Sequence, residues 1–158
     1  SNNDNISAAV ISRKTGGWWR QIILNKGSKD GVEIGSTVTG PGGLLGRVNN
    51  TSLFTASVTL ITSPESKLGV WVDRSQINGL LVGSGDDHPS LILYSKEADI
   101  KVGDFVSSSP ASSLLPPNIP IGIVQSIDET SQSKKTAKIS LLAKPHLIDW
   151  VQILKVNI

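Results

Sequence analysis

Gly31-Val32-Glu33-Ile34-Gly35-Ser36-Thr37-Val38 is echoed further along the chain by Asp99-Ile100-Lys101-Val102-Gly103-Asp104-Phe105-Val106. Two more pairs follow in the same order. Gly43-Leu44-Leu45-Gly46-Arg47-Val48 matches Ile119-Pro120-Ile121-Gly122-Ile123-Val124, and Ala56-Ser57-Val58-Thr59-Leu60-Ile61 matches Ala137-Lys138-Ile139-Ser140-Leu141-Leu142. The distance between copies grows from block to block, so the insertions lie in loops while the blocks keep their register. Three ordered echoes separated by Ser/Pro/Asn/Lys-rich stretches read as a duplicated β unit.

Period-two alternation supports β structure. In Phe54-Thr55-Ala56-Ser57-Val58-Thr59-Leu60 every odd-numbered residue is polar, the pattern of a half-buried strand. Reading outward from it gives strands near 7–14, 18–25, 36–40, 44–49, 55–62 and 68–73. A second set follows near 79–83, 90–94, 104–108, 121–128, 135–142 and 150–156. The breaks carry turn chemistry, such as Thr15-Gly16-Gly17, Gly40-Pro41-Gly42-Gly43 and Gly83-Ser84-Gly85-Asp86-Asp87. Helical periodicity is absent apart from a possible single turn over 144–149. The expected fold class is all-β: two small barrels of about six strands each, related by internal duplication, with little helix. The expected partition is a linker edge over 1–7, a first barrel over 8–75 and a second over 76–148. The C-terminal strand, 149–158, is a candidate to return and complete the first barrel.

Composition bounds the function. The 158 residues suffice for a buried core without a staple, and the chain has no cysteine, which removes thiol catalysis, thiolate metal sites and disulfide frameworks. Fifteen basic and 13 acidic residues leave a net charge of +2 with no clustered basic stripe, so nucleic acid is not an expected partner. No apolar run is long enough to cross a bilayer as a helix.

Candidate chemistry is sparse. The two histidines, His88 and His146, sit in predicted turns, and neither lies near a nucleophile motif such as Gly-x-Ser-x-Gly. Two isolated histidines make no metal site, and Gly40-Pro41-Gly42-Gly43 lacks the Lys-Ser/Thr ending of a phosphate loop. No catalytic residue, cofactor or metal ligand is therefore assigned. A two-barrel hydrolase of the trypsin kind and a small ligand-binding barrel are the alternative readings. Trp18 and Trp19, if in a strand, face opposite sides, so one of them is expected to point outward as an anchor. Trp71 and Trp150 read as core or lid residues, and Arg47 and Arg74 as solvated strand-edge charges. The longest irregular stretch, Ser107 to Asn118, is either a cross-over packing its leucines on a barrel or a recognition loop. In the second reading Leu114, Leu115 and Ile119 form an apolar partner patch, and replacing both leucines with serine leaves stability nearly unchanged.

Trp19, then Ile22-Ile23-Leu24-Asn25-Lys26-Gly27-Ser28-Lys29-Asp30-Gly31-Val32, then Gly43-Leu44-Leu45-Gly46-Arg47-Val48, resembles the MreC family of rod shape-determining proteins. The resemblance continues through Thr55 to Thr62, Gly79-Leu80-Leu81-Val82-Gly83 and the 99–106 and 119–124 blocks, and covers about 8–156. One departure is Ser107-Ser108-Ser109, where the family usually has Thr-Ser-Gly. The resemblance implies a non-enzymatic scaffold of the bacterial cell-elongation machinery, self-associating as a homo-oligomer. Its implied partner is the elongation-specific class B penicillin-binding protein, with MreD, RodA and MreB in the same assembly. It further implies a periplasmic position at the inner membrane, held there by an N-terminal anchor lying outside this sequence.

Overall fold

A computed structural model describes residues 5–155, and these form two closed antiparallel barrels of six strands each. The strands are β1 (Ile6–Lys14), β2 (Gln21–Leu24), β3 (Thr37–Gly40), β4 (Gly43–Thr51), β5 (Ala56–Leu60) and β6 (Lys67–Val72). They continue as β7 (Ile77–Val82), β8 (Ser90–Leu93), β9 (Phe105–Ser108), β10 (Pro120–Asp128), β11 (Lys135–Leu141) and β12 (Trp150–Leu154). Around the first barrel the order is β1-β12-β3-β4-β5-β2, and around the second β10-β11-β8-β7-β6-β9. Closure pairs every strand on both sides and, among the described residues, leaves no sheet edge open.

The three echoed blocks are the same three neighbouring strands in each barrel, β3-β4-β5 in one and β9-β10-β11 in the other. The remaining strands correspond as well: β2 with β8, β1 with β7 and β12 with β6. The duplication is thus complete but cyclically shifted, since the strand that opens the second unit, β6, has its counterpart at the end of the chain.

This ordering differs from the expected partition at 75/76. β6 forms a hairpin with β7, in register from Lys67 opposite Val82 to Val72 opposite Ile77, and its other edge pairs with β9. A hairpin is the cheapest pairing in chain entropy, and Leu68, Val70 and Val72 alternate into the second core. β6 therefore belongs to the second barrel. At the N-terminus β1 already begins at Ile6, so the linker reading over 1–7 ends too late; its residues 1–4 lie outside the described residues, as do 156–158 of the last expected strand. The turn over 144–149 is a 3-10 turn at Pro145–Leu147, and a second 3-10 turn spans Ser28–Asp30.

Each barrel has its own core, and the two interlock. The first is built on Ile22, Leu24, Val38, Val58, Leu60 and Ile153, the second on Val70, Leu81, Leu91, Ile121 and Ile139. Leu44 on β4 and Ile61 just past β5 are buried in the second core, whereas Ala143 and Ile148, beyond β11, pack into the first. The β3–β4 turn explains how strands from different barrels meet so closely. A Cβ on Gly43, where φ is +146°, would collide with the carbonyl of Pro120. Glycine is required there by both φ and contact distance.

Candidate partner-binding surface

The loop after β9 is the part of the second barrel with no counterpart in the first, and two adjacent serines, Ser108 and Ser109, fix it. Ser108 is fully buried; its Oγ donates to the Pro116 carbonyl at 2.6 Å and accepts from the Ile119 amide at 2.8 Å. Main-chain bonds from Ser108 N to Ile119 O (2.9 Å) and from Asn118 N to Ser108 O (2.9 Å) close the same loop. Ser109, also buried, donates its hydroxyl to Asn78 Oδ1 and accepts from Ala111 N at 3.0 Å. Each of these hydroxyls both donates and accepts: Ser108 ties two backbone groups of the loop and Ser109 ties the loop to Asn78, so the pair serves as a fastener.

Of the apolar patch expected here, the fastener leaves one residue facing outward. Leu115 is 5% exposed and belongs to the second core, against which Ile119 also packs. Leu114 alone projects, 48% exposed. The reading of all three as a surface patch is corrected on this point: once a loop is bonded flat along a barrel, adjacent leucines point alternately in and out.

Leu114 borders a groove of about 390 Å³ whose other wall comes from the first barrel. Facing it are Ile34, 64% exposed, together with Arg47, Leu154 and Lys155. Arg47 lies across Gly35, where φ is +93° and an added Cβ would stand 3.3 Å from Nη2. Its Nε is buried and without a hydrogen-bond partner among the described residues. The trough continues past Arg47 to Glu65, Ser66 and Lys67 as a second hollow of about 360 Å³. Arg47 is thus a half-buried cation in the middle of a surface groove and no strand-edge charge in free solvent. Its position, with Ile34, was not legible in sequence, because the groove is made by the meeting of two barrels.

Trp18 and Trp19 lie elsewhere. They occupy a bend before β2, so the alternation argument does not apply, and both are outside the core at 70% and 39% exposure. Trp18 stands over Gly85 of the second barrel, its ring 3.0 Å from where a Cβ would be, while Trp19 Nε1 donates to Gln21 Oε1 at 3.3 Å. Neither lines the Leu114 groove. Trp150 is 63% exposed on the outer face of β12, opposite Ala9, which corrects its reading as core or lid; Trp71 is half-buried.

Arg74 is no solvated edge charge either. It donates Nη1 and Nη2 to Asp99 at 3.0 and 2.8 Å, and Nε and Nη2 to Asp104 at 2.9 and 3.0 Å. Those bonds raise the guanidinium pKa and hold both carboxyls below their usual range. The clamp ties the β6–β7 turn to the second copy of the repeated block.

The residue types of a hydrolase do converge on one cleft, since Asp87, His88, Ser140 and His146 all line it. Asp87, however, is engaged by Arg20 Nη1 at 2.7 Å. Among the described residues neither imidazole is hydrogen-bonded to a serine or a carboxylate, the geometry that orients a catalytic base. The described residues also hold no group of three or more His, Asp or Glu arranged for a metal ion.

The family profile described as "Rod shape-determining protein MreC, barrel core" matches residues 10–155. The cell shape-determining protein MreC of Listeria monocytogenes is 32% identical, over 96% of this chain and 54% of its own length. The chain spans about half the length of the curated relatives it matches. Among solved structures, MreC from Pseudomonas aeruginosa superposes with a TM-score of 0.89 at 26% identity, covering 95% of this chain and 98% of that one. MreC from Helicobacter pylori, solved in complex with a penicillin-binding protein, has the same fold, with a TM-score of 0.75 at 15% identity over 97% of this chain and 98% of that one. With twelve strands in two closed barrels and a profile match across nearly all of them, the chain belongs to the MreC family of rod shape-determining proteins.

Proposed function

We propose that this chain is the barrel region of a cell-shape scaffold that acts by binding and carries out no catalysis, and that its partner is the class B penicillin-binding protein of cell elongation. The observation that carries this reading is the built groove: a loop fastened by buried serines presents Leu114 to a groove that Ile34 and Arg47 of the first barrel also line. A half-buried arginine in a groove with apolar walls is a residue type and setting enriched in interaction hot spots. The complex of the Helicobacter pylori relative with a penicillin-binding protein supports the choice of partner. On this reading the barrels work at the periplasmic face of the inner membrane, in an assembly with MreD, RodA and MreB, and more than one copy takes part. Activation then follows from linkage: a scaffold that binds one conformer of the transpeptidase better than another raises the population of that conformer.

The test is interferometry with the purified periplasmic part of the same organism's penicillin-binding protein at physiological salt. Saturable binding is expected, weakened roughly tenfold or more by Leu114→Ser with Ile34→Ser, as loss of an apolar anchor costs on the order of 1–2 kcal/mol. Binding by the double variant equal to that of the parent chain would remove the groove from the interface, and no binding by the parent chain would remove the partner.

A further inference from the structure

We infer that the cleft between the two barrels binds an oxyanion, a carboxylate or phosphate group carried by a small ligand. This site is separate from the Leu114 groove and does not depend on the partner proposed above; the two hollows have no lining residue in common.

The cleft encloses about 450 Å³, and both histidines of the chain line it although they are far apart in sequence. His88 comes from the turn leading into β8 of the second barrel, and His146 from the 3-10 turn between β11 and β12. The first barrel adds Thr15 and Arg20, and the segment after β11 adds Lys144. Such a meeting of residues is set by the packing of the barrels, as Arg20 shows. It is only 8% exposed, yet it reaches across the joint to Asp87 while its Nε donates to Gly17 O at 3.1 Å.

Donors in the cleft outnumber acceptors. Asp87 is the sole carboxylate among the described lining residues, and its Oδ1 pairs with Arg20 at 2.7 Å, which offsets its charge. Uncommitted among the described residues are Arg20 Nη2, both imidazole rings and the hydroxyls of Thr15, Thr62 and Ser140. The Lys144 ammonium spends one of its three donors, on Leu141 O at 2.6 Å. A guanidinium, an ammonium, two imidazoles and three hydroxyls around one hollow match a group that accepts hydrogen bonds and carries negative charge. The same cations oppose a metal ion. Pro145 adds an apolar face to the lining, so the ligand carries a small apolar part beside its charge.

The two imidazoles are themselves the reporters. Their carbon-bound proton resonances are followed by NMR in the 158-residue chain while sodium phosphate or N-acetylalanine is added at fixed pH, with chloride at matched ionic strength as reference. Saturable shifts of both imidazoles are expected, with affinity falling about tenfold in Lys144→Ala and in Thr15→Val, each checked for an unchanged melting temperature. A response to phosphate alone assigns a phosphoryl ligand, and a response to N-acetylalanine alone a carboxylate; either supports the site. Shifts no larger than those in chloride, or saturable shifts with the affinity of both variants unchanged, would overturn it.

Discussion

Leu114 and Leu115 are neighbours of the same type with opposite fates, and the serine fastener beneath them decides which is which. Leu115→Ala is expected to cost about 3 kcal/mol, the range for emptying a core leucine site, whereas Leu114→Ala stays within about 0.5 kcal/mol; urea unfolding of the two variants checks this. The loop itself was visible in sequence as a Pro/Ser insertion, but the direction of each leucine was not, because it follows from bonds made by Ser108 and Ser109 to groups far from either. Arg74 is a second case in which partners were hidden by distance. The Asp99 and Asp104 carboxyls titrate below their unfolded values near 4, so the clamp stabilises the fold above that pH and is lost as pH falls through the lowered values. Stability measured at pH 7 and pH 3 should therefore fall less in Arg74→Gln than in the parent chain, and an equal fall would mean that the clamp does not govern the acid response.

Strands were read well where alternation met turn chemistry and poorly where only one of the two was present. β5, with polar residues at every second position, and the β3–β4 turn with its glycines are found close to where they were expected. The start of β2 was read too early. Gly16-Gly17, with Gly17 at φ +76°, extends the bend through Trp19, and local apolar content alone could not show that. At the level of the element, the loop after β9 depends on one side chain. Ser108→Ala takes one partner each from the exposed Pro116 carbonyl and the half-buried Ile119 amide, which costs about 1 kcal/mol. Cleavage by a nonspecific protease between Pro110 and Ile119 should rise in that variant well before the barrels unfold; unchanged cleavage would show that main-chain bonds suffice to hold the loop.

The duplication was legible because three blocks repeat in the same order, whereas the assignment of strands to barrels was not, since the two units are offset by one strand relative to the chain. β12 occupies the slot between β1 and β3 in the first barrel, with Ile6 opposite Ile153, so that barrel spans the chain nearly end to end. The second barrel is contiguous from β6 to β11. The grooves that carry the proposed functions escaped sequence reading for the same reason: Ile34 meets Leu114, and His88 meets His146, only after both barrels have closed. A chain ending before Trp150 should keep slow amide exchange in β6 to β11 and lose it in β1 to β5, measured by NMR. Loss of protection in both barrels would show that Leu44 and Ile61 make the second core dependent on the first.

The placement of β12 also sets a timetable. During synthesis the second barrel has all its strands once β11 has emerged, whereas the first must wait, with β1 and β3 each lacking a neighbour, until β12 follows. Over that interval the half-made barrel presents two strand borders that accept any β12, including one from another nascent copy. Crowded ribosomes on one message would therefore favour strand exchange between chains, and slow translation of residues 142–149 would lengthen the period in which exchange competes with closure.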